Sequence, residues 1–122
     1  MNETAAPGPQ HLRALARANE VRLARAELKR RVHDGAFTAA EVILDAPWEV
    51  ATMAVGELLM SQRSWGKMRC RKLLQSIPMS EGKKIGAMTE RQRKAVAAAL
   101  RRQAADARAL RARAELLEGA LA

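Results

Sequence analysis

The chain has 122 residues, with 22 Lys/Arg against 13 Asp/Glu, a net charge of +9 and a pI near 11.0. Phe37, Trp48 and Trp65 are its only aromatic residues, and much of its apolar content is alanine. That composition excludes a fold built on β-branched and aromatic strands and favours helix. Such a basic chain calls for an acidic partner, a nucleic acid or an anionic membrane surface.

The residues before His11 include Pro7, Gly8 and Pro9 and read as a disordered lead, 1–10. They have neither the basic start nor the apolar run of a secretory signal. No window reaches the ~18 apolar residues of a membrane span. The single Cys70 rules out an internal disulfide and fits a reducing cytoplasm.

A first helix is predicted from His11 to His33. Its interior lacks Gly and Pro, and Leu12, Leu15, Val21, Leu28 and Val32 form a loose apolar stripe. It carries seven cations against Glu20 and Glu27. Gly35 suits a left-handed stop. Thr38 with Glu41 is a capping box opening a short second helix. Pro47 suits the first turn of a third helix capped by Asp45. That helix is expected to bury Trp48, Val50, Ala51, Val55, Leu58 and Leu59. From Asp34 to Met60 there are five acids and no Lys/Arg, so this segment is expected to turn away from an anionic partner.

The stretch from Ser61 to Arg102 holds twelve Lys/Arg against Glu81 and Glu90, a local +10. The remainder of the chain is therefore nearly neutral. A fourth helix is expected from about Lys67 to Ser76, with Met68, Cys70, Leu73 and Leu74 facing inward, and Ile77-Pro78 ends it. Gly82 and Gly86 in the following connection are available for positive φ. Thr89 and Gln92 make a second capping box. The helix they open runs unbroken to about Glu118. Residues 103–122 form an amphipathic tail with Ala107, Leu110, Ala114, Leu117 and Leu121 at 3/4 spacing, docked on the domain or pairing with another chain.

No catalytic constellation assembles. His11 and His33 lack Cys or carboxylate partners at metal spacing, there is no Walker loop and no dinucleotide-binding fingerprint, and Cys70 reads as a small core residue. No cofactor or metal is expected, and the chain is read as a non-enzyme. The chemistry lies instead in two cationic turns, each set against a helix start. In SWGK, Gly66 and Lys67 open the fourth helix, with Trp65 before them and Arg69 after. In SEGKK, Lys83 and Lys84 precede a helix whose first turns carry Arg91, Arg93 and Lys94. Backbone N–H groups at a helix start, reinforced by Lys and Arg, suit phosphates.

RAELKRRVHDGAFTAAEVI (Arg25 to Ile43), VGELLMSQRSWGKMRCRKLL (Val55 to Leu74) and IPMSEGKKIGAMTERQ (Ile77 to Gln92) together resemble the actinobacterial integration host factor family. The resemblance covers roughly residues 11–100. It implies an all-α fold: a long N-terminal helix, a helix-two-turns-helix module and, in this chain, an extended C-terminal helix. The implied domains are the lead 1–10, a DNA-binding domain 11–102 and the appended helix 103–122. It implies a cytoplasmic, nucleoid-associated protein that binds double-stranded DNA with little sequence preference, bends or compacts it, and assists an integrase. Carried over residue by residue, the implied contacts fall on Gly66 and Lys67, on Lys83 and Lys84, and on Arg25, Lys29 and Arg30 of the first helix. Trp65 either packs down or wedges into a minor groove, and Arg69, Arg91 and Lys94 complete the expected site. The chain is expected to be a monomer or to self-associate weakly through its C-terminal helix, without a membrane partner. An RNA- or ribosome-associated binder, and an adaptor dimerising through the tail, are the alternatives.

Two departures from the family stand out. Its first turn commonly reads Leu-Pro-Gly-Val-Gly-Lys, whereas this chain has Gln62, Arg63, Ser64, Trp65, Gly66 and Lys67. Gly86 stands where the family often carries another arginine.

Overall fold

The computed structural model describes residues 8–121. Most of the lead expected over 1–10 lies outside them, but Pro9 and Gln10 already belong to the first helix. Five α-helices follow in order: α1 (Pro9–His33), α2 (Ala39–Asp45), α3 (Val55–Met60), α4 (Lys67–Gln75) and α5 (Glu90–Leu121). Short 3-10 turns occupy Trp48–Val50 and Ile85–Ala87. The fold is all-α, with one isolated bridge, Ala54 to Lys84, among the described residues.

The local signals act where they were read. Gly35 takes φ 86 and closes α1. The Thr38 hydroxyl accepts from the Glu41 N–H at 3.1 Å and opens α2. At α5 the box is reciprocal: Gln92 N–H donates to Thr89 Oγ1 at 3.1 Å, and Thr89 N–H to Gln92 Oε1 at 3.0 Å. Two of the donors that a helix start leaves open are thereby satisfied.

Packing centres on α2 against α5 and on α3 against α4. Ala39, Ala40 and Ile43 of α2 are buried, as are Val96, Ala97, Ala99 and Leu100 of α5. Small side chains on both helices let the backbones approach closely, while Ile43, Leu58, Leu59 and Val96 supply the apolar area that drives burial. Only the last part of α1 joins this core, through Leu28 and Val32. Residues 9–20 and the end of α5 stand out as exposed helical arms.

The third helix departs from expectation. Asp45 is the last residue of α2, not a cap, and Ala46 turns the chain with φ 44. Pro47 precedes a single 3-10 turn, and Trp48 is 56% exposed instead of buried. α3 begins only at Val55. The cause is tertiary. Backbone groups that would continue a helix bond across to the second cationic turn: Gly86 N–H to Ala51 O (2.9 Å), Ile85 N–H to Met53 O (2.9 Å), Val55 N–H to Lys83 O (2.8 Å) and Gly56 N–H to Glu81 O (2.9 Å). Periodicity along one segment does not register bonds to a segment thirty residues away.

Two glycines also act differently from expectation. Neither Gly82 nor Gly86 has positive φ. A Cβ on Gly86 would lie 2.8 Å from the Ala51 carbonyl oxygen, so the glycine is there for close backbone approach. Gly56 makes the same allowance on the other strand of the crossing, where a Cβ would lie 2.9 Å from Glu81 O. Gly86→Ala is expected to cost about 1–3 kcal/mol, because backbone, not a flexible side chain, must move. Chemical denaturation measures this. Gly82→Ala, with open space around it, serves as the near-neutral control.

Candidate nucleic-acid interface

The first turn runs from Gln62 to Gly66. The Gln62 carbonyl accepts from Trp65 N–H at 3.2 Å, and Ser64 between them sits at φ 69. Ser64 thus occupies the left-handed conformation at the position where the resembled family has its first glycine. Serine in this conformation carries a steric cost of about 1 kcal/mol that a glycine would not. Ser64→Gly is expected to raise stability by up to about 1 kcal/mol, offset in part by a more flexible unfolded chain. A shift in the denaturation midpoint at unchanged slope checks it.

Gly66 is the N-cap of α4 and offers no side chain. The first hydrogen bond of the helix runs from Cys70 N–H to Gly66 O at 3.1 Å. The N–H groups of Lys67, Met68 and Arg69 therefore point out of the helix start with no acceptor among the described residues. Met68, expected to face inward, is 81% exposed, because it shares the outer side of this first turn. The helix dipole adds partial positive charge to the same place.

Trp65 packs down. It is half-buried against the core, and the Arg69 guanidinium lies over its ring at 4.3 Å from the centroid. The stack orients Arg69 and covers one indole face. Trp65 also lines a cleft of about 450 Å³ with Phe37, Arg63, Arg101 and Arg108. Arg101 and Arg108 were not singled out as site residues in the sequence. Their 3/4 spacing with Ala104 on α5 is the signal that places them on one side.

The second turn is held by the four crossing bonds described above, with Ile85 fully buried beneath it. Glu81 bridges to Arg71 of α4 at 3.5 Å, which ties this turn to α4 as well as to the start of α3. Lys67 lies four residues before Arg71 and so shares its face of α4. The second turn is thus fastened to α4 at Arg71, about one helical turn beyond Lys67. Lys67, Lys83, Lys84 and Arg91 form no hydrogen bond or ion pair through their side chains among the described residues. Lys94 meets Glu90 at 3.3 Å, both exposed, an attachment worth at most about 1 kcal/mol. Arg93 instead donates to the Met88 carbonyl at 3.0 Å and closes the start of α5.

The α1 cations are placed differently. Arg25 donates through Nε to the Glu49 carbonyl at 3.0 Å and through Nη2 to Thr52 Oγ1. Lys29 pairs with Glu57 at 3.0 Å. Arg30 and Arg31 both hold Glu27, at 2.7 and 3.0 Å, and the Arg30 hydrogen bond foremost keeps that carboxyl below its ordinary pKa. The acidic segment expected to turn away from a partner is used within the chain to fasten α1.

Cys70 is buried, and burial pushes its thiol pKa up, with Glu81 adding to the effect and Arg71 opposing it. Neutral and enclosed, it is a core residue and not a nucleophile. His33 meets only Asp34, at 3.3 Å, on the surface. No group of three metal-ligating side chains occurs among the described residues, and none of their helices is long and apolar enough to cross a membrane.

Compared with solved structures, the chain is similar to sIHF, an integration host factor, in a structure bound to an 8-bp palindromic DNA. The two share 26% sequence identity at a TM-score of 0.61. This likeness supports the integration-host-factor resemblance read in the sequence. The match spans 97% of sIHF but 72% of this chain, which therefore carries more than a quarter of its length outside the sIHF-like part. No protein-family model matches the sequence, and neither does any curated protein. The sIHF likeness agrees with the five-helix architecture and with the order of the blocks on which the family resemblance was read.

Proposed function

We propose that this chain is an architectural DNA-binding protein that docks on the phosphate backbone of duplex DNA with little sequence preference. The supporting observation is a pair of cationic turns that both meet α4, one at its start and one through Arg71. One offers the open N–H groups of α4 with Lys67 and the stacked Arg69, and the other offers Lys83 and Lys84, followed by Arg91 and Lys94. Gly66 leaves the helix start uncovered, so a phosphate oxygen reaches the backbone donors directly. These groups position a protein on the duplex without reading bases: the turns hold no Asn, and Gln62, their one Gln, donates its amide to the Leu59 carbonyl. The likeness to sIHF, whose solved structure holds DNA, supports the same reading.

Arg25 and Lys29 serve this function by holding α1 to the segment 49–57, Arg30 by pairing with Glu27 within α1, and Trp65 by orienting Arg69, rather than as wedges or direct contacts. The binding domain is residues 11–102, with 103–122 as its appended helix. Bending or compaction of the duplex, a place in the nucleoid and assistance to an integrase are the finer parts of the proposal. No catalysis is included in it.

The test is a salt titration of binding to duplex DNA of random sequence. With ~5–7 phosphates neutralised, log K is expected to fall with log salt at a slope of about −5 to −6. A slope near zero overturns electrostatic docking. Preference for a structured RNA competitor over the duplex assigns the site to RNA instead, and circularly permuted fragments report the bend.

A further inference from the structure

The end of α5 leaves an apolar stripe uncovered. Gln103, Ala107, Leu110, Ala114, Leu117 and Leu121 repeat at alternating intervals of four and three, which is the heptad spacing of a coiled-coil seam. Leu110, Leu117 and Leu121 are 68%, 60% and 88% exposed. The stripe continues the side of α5 that carries the buried Val96 and Leu100, so the same seam that packs into the domain runs on past it into solvent. The helix itself is built from Ala, Leu, Arg and Glu, strong helix formers that keep it extended without cover.

We propose that this segment pairs with the same segment of a second copy, antiparallel, to form a dimer. Two observations select the occupant and its direction. The first is steric. The domain lies on the seam side of α5 at Val96 and Leu100, so a parallel partner would bring its own domain to the same side at the same level. An antiparallel partner places the two domains at opposite ends and its tail along the uncovered face. The second is charge. With Leu110 opposite the partner's Leu121 and Ala114 opposite its Leu117, Arg111 and Glu118 flank the seam and face each other across it. The pair occurs twice by symmetry, and large side chains meet small ones in the central layers.

The overlap is about three to four helical turns, so association is weak in free solution and rises when two copies share one duplex at high effective concentration. The inference rests on α5 alone and is independent of the DNA-binding reading.

Sedimentation equilibrium of the full chain over a range of loading concentrations tests it without DNA. The expected result is a monomer–dimer equilibrium that Leu117→Asp weakens by more than about tenfold, with helix content and thermal unfolding of the domain unchanged. Arg111→Glu or Glu118→Arg alone is expected to weaken it several-fold, and the double exchange to restore it. In a parallel pair the contacts would instead be Asp106 with Arg111 and Arg113 with Glu118, and the double exchange would place like charges together at both. A dimer weakened further by the double exchange therefore overturns the antiparallel arrangement. A chain that stays monomeric at every concentration, or a dimer indifferent to Leu117→Asp, overturns the proposal altogether.

Discussion

Replacing Lys83 and Lys84 together by alanine is expected to weaken binding to random-sequence duplex DNA by about one to two orders of magnitude at about 0.1 M salt. Each phosphate contact contributes about −0.9 to the slope of log K against log salt, which at that concentration corresponds to roughly a factor of ten per contact. Loss of two contacts should reduce the slope by about 1.8. The loss should be the same on every sequence, because neither lysine reads a base edge. Fluorescence anisotropy on several unrelated duplexes across a salt series measures both quantities. A defect confined to one sequence contradicts phosphate docking at this turn. Lys83 and Lys84 bear no ion pair or hydrogen bond through their side chains among the described residues, so stability should hardly change. The effect is separable from unfolding.

The larger stability effect is expected at Ile85. It is fully buried, and its own N–H bonds to Met53 O at 2.9 Å, so it fastens the cationic turn both to the core and to the start of α3. Ile85→Ala removes three carbons from a closed site and is expected to cost about 2–5 kcal/mol, while Ile85→Val should cost about 0.5–1.5 kcal/mol. Since a domain of this size is stabilised by only about 5–15 kcal/mol, the alanine variant should unfold at markedly lower denaturant. It should also bind DNA less tightly under conditions where it is still folded, because Lys83 and Lys84 lose their anchor. Full affinity in the folded fraction would show that the turn holds its geometry without Ile85.

These two expectations concern adjacent residues with opposite roles, and the fold explains why both are needed. Phosphate docking requires lysines whose amino groups stay in water, yet a loop that carries only such residues has little to order it. The crossing of residues 51–56 with 81–86 supplies that order through backbone hydrogen bonds, and glycines at 56 and 86 make the close approach sterically feasible. Gly86, where the resembled family often has an arginine, has no room for a side chain in this backbone. One cation is exchanged for a tighter crossing.

The helix starts and stops were legible because they are local. Thr38, Thr89 with Gln92, and Gly35 act on backbone groups within four residues, and their sequence signals describe the same groups. The basic character of the two turns was legible for the same reason, since net charge along a segment needs no partner to be counted. The family resemblance followed from the order of three blocks rather than from any single motif.

What escaped were features that depend on a distant segment. The helix expected to begin at Pro47 is broken because residues 51–56 bond to the second turn, which leaves Trp48 outside. The cations of α1 looked available, yet Arg25 and Lys29 are held by residues 24 to 28 positions away. Ser64 stands in a left-handed conformation where the resembled family has a glycine, which only the backbone angle reveals.

The sequence by itself determined an all-α chain with its charge gathered between Ser61 and Arg102, because propensity, capping and composition are properties of short stretches. The tertiary structure alone decided which of the chain's cations remain free. A cation that finds a carboxylate or carbonyl in its own fold is spent on stability, as at Arg25 and Lys29. One that projects from a turn fastened by backbone bonds, as at Lys83 and Lys84, keeps its charge for a phosphate. That partition is set by distances between segments, which no one-dimensional pattern contains.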